Sequence, residues 1–198
     1  MLIESQDDLE FVGAAHDGLA AVELASRVHP DVMLMDVRMP GIDGIEASRR
    51  ITAASDDTRI VVLTTLQRDD AVARAIRAGA QGFIIKDTTP EFILASIRTV
   101  SEGNSVIAPN DIAELFSGAG GRAPADEESI AALSARETEI FLLAARGLSN
   151  AQIGQTAFIS EATAKSHVRS ILSKLGLRSR AELIAFAYER RLVTPGQG

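Results

Sequence analysis

The chain has no cysteine and no tryptophan, a single tyrosine and only 4% aromatic residues. Without thiols there is no disulfide framework and no thiolate metal site. It has no run of about 18 apolar residues, which excludes a helix that spans a bilayer. The opening Met1-Leu2-Ile3-Glu4-Ser5 lacks the basic start, apolar stretch and small-residue cleavage site of a secretory signal. A cytoplasmic protein with no membrane segment is the expectation. Disorder is excluded as well, because 46% apolar residues over 198 positions suit one or two folded domains.

Charge is unevenly placed. Residues 1–128 hold 22 Asp+Glu against 11 Lys+Arg, a net of −11, whereas residues 129–198 hold 5 acids and 9 bases, a net of +4. This asymmetry points to a C-terminal part that meets a polyanion and an N-terminal part that does not.

The first half alternates short apolar runs with helical patterns. Phe11–Ala15, Val32–Met35, Ile60–Leu63 and Phe83–Ile85 read as strands. Helices are predicted near Leu19–Val28, Ile45–Ile51 and Asp70–Ala78, and from Pro90 to about Glu102. Pro30 ends the first of them and Gly79 can stop the third. Strands alternating with helices imply βαβ crossovers and a parallel sheet. A short helix is expected at Asp111–Phe116. The small and turn-forming residues from Ser117 onward then predict a flexible linker over 117–129. Beyond it every signal is helical. Ser134-Ala135-Arg136-Glu137 and Ser149-Asn150-Ala151-Gln152 fit capping boxes, Ser160 is a third cap, and Gly147 and Gly176 fall at helix ends.

Asp36, Thr64 and Lys86 each end, or directly follow, a strand pattern, which brings them to one edge of the sheet, where ligands of open α/β folds gather. A carboxylate, a hydroxyl and an ammonium together suit a phosphoryl group. Each has a plainer reading, as a turn residue, a strand residue or a solvated cation; it is the combination in register that argues for chemistry. Three segments resemble those of bacterial receiver domains. They are Leu34-Met35-Asp36-Val37-Arg38-Met39-Pro40-Gly41-Ile42-Asp43-Gly44, Val62-Leu63-Thr64-Thr65 and Gly79–Asp87. The resemblance implies a flavodoxin-like α/β receiver with Asp36 as phospho-acceptor and Thr64 and Lys86 as phosphate-switch residues. It makes Phe83 the rotating aromatic, and it implies Mg²⁺ held partly by Asp36 and the backbone carbonyl of Arg38.

Receivers also begin with a strand that ends in two acidic metal ligands, and no such strand precedes Phe11. Asp7-Asp8 comes before the strand pattern at Phe11 instead of following a buried run, so it is a poor substitute. Met1–Ser5 resembles the last turn of the family's first helix. The receiver is therefore expected to be incomplete at its N-terminus, with Met1 an internal methionine of a longer frame and about twenty residues missing. Such a loss removes a central strand, deprives Phe11–Ala15 of its ladder partner and leaves Mg²⁺ few protein ligands. Mass spectrometry of the native N-terminus checks this expectation.

Ser149–Ala157, Phe158-Ile159-Ser160 and Glu161–Leu175 read as helix, turn, helix. Ala164, Val168, Ile171, Leu172 and Leu175 form one buried stripe of the second helix. Ala162, Lys165, Ser166, Arg169 and Ser173 lie opposite, on a face suited to a major groove. A merely solvated face is the plainer alternative. Leu133–Glu137, Gly147–Ile153, Ser160–Val168 and Ile171–Gly176 match the LuxR-type signature, and the whole chain resembles response regulators of the NarL/FixJ type. By that resemblance Lys165, Ser166 and Arg169 reach base edges or nearby phosphates, while Lys174 and Arg178 meet the DNA backbone. The expected domains are 1–116, an incomplete receiver, and 130–194, an all-α DNA-binding domain, with 117–129 between them. The expected partners are double-stranded DNA, a sensor histidine kinase and a second copy on DNA, paired through the helix near Ala181–Arg190. Two rivals are a degenerate receiver that regulates without phosphate and an α/β phosphatase using Asp36. The phosphatase is disfavoured because position 38 is arginine and not a second acid, so no enzyme activity is expected. Gly154, Ala157 and Ala164 depart from the family's usual residues, and glycine at 154 costs about 1 kcal/mol against alanine unless helices approach closely there.

Overall fold

A computed structural model describes residues 2–55, 57–64, 70–107 and 125–193. Its contacts divide the chain into two compact units, Met1–Glu102 and Gly103–Gly198. The expected boundary after residue 116 differs from this division, which falls just after the last N-terminal helix. The predicted helix at Asp111–Phe116 and residues 117–124 of the predicted linker lie outside the described residues.

The first unit runs α1 (Gly18–Val28), β1 (Val32–Asp36), α2 (Gly44–Ala54), β2 (Arg59–Thr64), α3 (Asp70–Arg77), β3 (Gly82–Ile85) and α4 (Pro90–Ser101). Side chains of Asp17, Asp43 and Thr89 accept backbone N–H bonds and start α1, α2 and α4. Pro90 suits the first turn of α4, where its missing N–H costs nothing. The strands are parallel in the order β1-β2-β3, with Asp36 opposite Leu63 and Thr64 opposite Ile85. Helices pack on this sheet, and Met35, Ala47, Ile51, Ile60, Val62 and Ala75 join in one core.

Phe11–Ala15 is not a strand. Among the described residues no strand lies beside β1 on its outer side, so this stretch has no ladder to join. Phe11 and Val12 remain 37% and 44% exposed, although their apolar pattern suits a sheet interior. The strand expectation is corrected here, and the reason is the lack of a pairing partner.

The second unit holds a 3₁₀ turn (Glu127–Ile130), α5 (Ala135–Ala145), α6 (Asn150–Ala157), α7 (Glu161–Leu175) and α8 (Arg180–Glu189). The predicted linker is thus partly folded, because Asp126 donates its N–H to the Arg190 carbonyl and accepts from the Arg190 guanidinium. Ile130, Ile140, Phe141, Ile153, Ile171 and Leu183 form the core, with Phe141 and Phe186 edge to face at 6.3 Å. Among the described residues no helix is long and apolar enough to cross a membrane.

Candidate phosphoryl site and nucleic-acid interface

Parallel register carries Asp36, Thr64 and Lys86 to the same end of the sheet. Lys86 directly follows β3, and its N–H donates to the Thr64 carbonyl at 2.8 Å. Its ammonium reaches across β2 to Asp36 Oδ2, 2.5 Å away. Asp36 Oδ1 accepts the Arg38 N–H at 3.0 Å, so both carboxylate oxygens are engaged. Thr64 is buried, whereas Asp36 and Lys86 keep about a third of their side-chain surface open, 34% and 38%. Phe83 lies on β3, half-buried against the core.

The loop over Asp36 depends on glycine. An added Cβ at Gly44 would stand 1.9 Å from the Asp36 carbonyl oxygen, so the start of α2 can approach only without one. Gly41, with φ +75, turns the chain where side chains are disfavoured.

Asp7-Asp8 does not join this site. Asp8 makes a two-pronged bond to Arg98 of α4, at 2.7 and 2.8 Å, and the guanidinium holds its carboxyl below the usual range. Receiver domains as a family use Mg²⁺. Here the Asp36 oxygens are taken by Lys86 and Arg38, and among the described residues no three acidic or histidine side chains gather. Magnesium requires near-octahedral oxygen ligation. Asp36 and the Arg38 carbonyl are the protein oxygens that would hold the ion, with waters and the phosphoryl donor filling the remaining positions, and without it the positive charge at Asp36 is that of Lys86.

In the second unit, capping boxes at Ser134 and Ser149 start α5 and α6, and Ser160 caps α7. Gly154 is the pivot of the helix pair. A Cβ there would meet the Ile159 carbonyl oxygen at 2.9 Å and the Glu161 nitrogen at 3.3 Å. The close approach that would justify this glycine is therefore present. Gly154 accepts N–H bonds from both Phe158 and Ile159, fixing the turn. Arg136 donates to the Ala157 carbonyl and neutralises the end of α6.

On α7, Ala164, Val168 and Ile171 are buried and Leu172 and Leu175 half-buried, as the spacing predicts. Ala162, Lys165, Ser166, Arg169 and Ser173 are all exposed on the other side. Arg178 lies just beyond Gly176 and is exposed too. Lys174 is exposed as well, and its ammonium is 2.7 Å from Glu137 of α5. Glu137 is buried and also accepts from the Ser134 N–H, the Ser134 hydroxyl and the Ser170 hydroxyl. Lys174 foremost, with the bonds from Ser134, holds its carboxyl down at about 2.

Sequence reasoning missed three features. Glu137 was seen only as a cap partner, because its bond to Lys174 spans 37 residues. Arg180 is buried in α8, donating to Asn150 and to the Leu148 carbonyl, and burial lowers its pKa to about 10. Phe158 is 94% exposed, with φ +55. On α8, Ala181, Leu183, Ile184, Ala185, Ala187 and Tyr188 are buried.

Residues 1–98 match the response regulator receiver domain, and residues 131–187 match bacterial regulatory proteins of the luxR family. The chain is similar to the transcriptional regulatory protein YxjL of Bacillus subtilis, at 38% identity over 97% of this chain and 89% of that protein. It is 37% identical to the transcriptional regulatory protein LiaR of the same organism, over 96% and 90% of the two chains. Among solved structures, the signal receiver domain of the response regulator NarL from Mycobacterium tuberculosis is 32% identical with a TM-score of 0.50, covering 52% of this chain and 83% of that one. The chain belongs to the two-component response regulators that join a receiver to a LuxR-type DNA-binding domain.

Proposed function

We propose that this chain is a cytoplasmic transcription regulator in which phosphoryl transfer to Asp36 controls binding of duplex DNA by α7. The observation that carries the reading is the Lys86 ammonium 2.5 Å from Asp36, with Thr64 ending the strand between them. A sensor histidine kinase is the donor. An Asp36 oxygen attacks phosphorus, the donor's N–P bond breaks as an O–P bond forms, and the histidine nitrogen takes up a proton. The product carries roughly −2 charge and three acceptor oxygens, which Lys86 and Thr64 bind. Phe83, half-buried on β3, follows Thr64 as it moves.

Lys165, Ser166 and Arg169 enter the major groove, and Arg178 meets a phosphate. Two copies occupy two half-sites, as the spacing of major grooves on one side of the duplex requires. Acetyl phosphate and a duplex selected from a random library test the scheme. Acetyl phosphate should raise the affinity of the native chain, and Asp36→Asn should abolish that gain. An unchanged gain in the variant overturns the role of Asp36.

A second reading rests on Asp8, which is committed to Arg98, so that among the described residues no acidic cluster gathers around Asp36. It is a receiver that governs DNA binding without phosphate. In that case borohydride, which reduces an aspartyl phosphate to homoserine with loss of the phosphate, converts no Asp36 after acetyl phosphate treatment, while DNA binding persists.

A further inference from the structure

The fourteen residues from Gly147 to Ser160 contain no Asp, Glu, Lys or Arg, in a chain that is 24% charged. Within them Phe158 stands 94% exposed at a backbone conformation of φ 55, ψ 45. A bulky residue in the left-handed region is strained, and glycine or asparagine fits there better. Burial does not compensate, because the ring touches almost nothing. The side chain adds nothing to folding at this position.

The turn that displays it is firmly held. The N–H groups of Phe158 and Ile159 both donate to the Gly154 carbonyl, Arg136 donates to the Ala157 carbonyl, and Ile159 packs on the core. Two residues on, Ser160 caps α7. In a helix-turn-helix the first helix crosses the DNA backbone and the N-terminal residues of the second touch base edges. The turn just before α7 therefore lies at the rim of the groove. The apolar ring has nothing to offer a phosphate, whereas the sugar edges and thymine methyls that line a groove are apolar as well.

We propose that Phe158 is a DNA contact, its ring packing against the sugar edges and thymine methyls at the groove rim next to the bases read by α7. The proposal rests on the reading that this chain binds duplex DNA. A preformed aromatic on a rigid turn loses little freedom on binding, which suits it to carry affinity. Its contribution is apolar, so it releases no counterions and is independent of salt.

The test compares the full native chain with Phe158→Gly and Phe158→Asn by fluorescence anisotropy, on a duplex selected by the native chain from a random library. Both replacements accept the left-handed conformation, so their melting temperatures should equal or exceed the native value. Expected is a loss of affinity of about tenfold in both, with the slope of log K against log salt unchanged. Binding as tight as native overturns the contact and leaves the wider reading intact. Unchanged binding with lost promoter activation overturns it as well, and assigns the ring to a protein neighbour. Should the native chain bind no duplex, the DNA-binding reading fails along with this proposal.

Discussion

Lys174 and Lys165 lie on one helix and carry the same charge, yet they should respond differently to salt. On duplex DNA each phosphate neutralised by a cation contributes about −0.9 to the slope of log K against log salt. Between 50 and 200 mM salt, one such contact therefore changes affinity by about 3.5-fold. The Lys174 ammonium is 2.7 Å from Glu137, a buried carboxylate held ionised, so the pair presents no net charge to the duplex. Replacing Lys174 with methionine should leave the slope as it is. Lys165→Met should flatten it by about 0.9, because Lys165 is exposed on the reading face. Glu137→Gln keeps the hydrogen bonds to Ser134 and Ser170 but frees the Lys174 charge, and should steepen the slope by about 0.9. The assay is anisotropy titration at four salt concentrations, with melting curves to confirm that each variant is folded. If Lys174→Met flattens the slope as Lys165→Met does, the internal tie between α5 and α7 is refuted and Lys174 is a backbone contact after all.

Three further outcomes follow from the geometry. Gly44→Ala sets a Cβ 1.9 Å from the Asp36 carbonyl oxygen, so α2 must move away. Denaturation by urea should show a loss of roughly 3 kcal/mol or more in the N-terminal unit, with labelling of Asp36 lost as well. Acid should act through Glu137. Its folded pKa of about 2 lies below the ordinary value near 4.5, so the stability it supplies is complete above the ordinary value and is lost as pH falls toward 2. Melting temperatures of Glu137→Gln should therefore fall less steeply than native over that window, and parallel curves would contradict the assignment. Arg180→Met leaves the Leu148 carbonyl and the Asn150 side chain without their donor, offset in part by removal of a buried charge. A net loss of about 1–3 kcal/mol is expected in urea denaturation of the C-terminal unit.

The parts of this molecule that were readable from sequence are those specified by neighbours in the chain. Caps at Ser134, Ser149 and Ser160 and the stop at Gly176 are encoded within a helical turn, and the structure has them. The stripe on α7 is legible for the same reason, through the 3.6-residue period. Asp36, Thr64 and Lys86 come together because parallel strands share an end, an inference that needs only the order of elements. Phe11–Ala15 failed because a strand is made by its partner, and its own apolar pattern does not reveal whether that partner is present. The Glu137–Lys174 tie and the buried Arg180 depend on tertiary contacts 30 or more residues apart in the chain. No local pattern marks them. The strain at Phe158 was hidden because the same three-residue turn can be closed with glycine, and the sequence places phenylalanine there without showing how little it packs.

Gly154 has a consequence for how such a regulator diversifies. Because the two helices meet main chain to main chain, the angle between them is independent of side chains at 162, 165, 166 and 169. New operators can be acquired by exchanging those outward residues alone, with the scaffold beneath them unaltered.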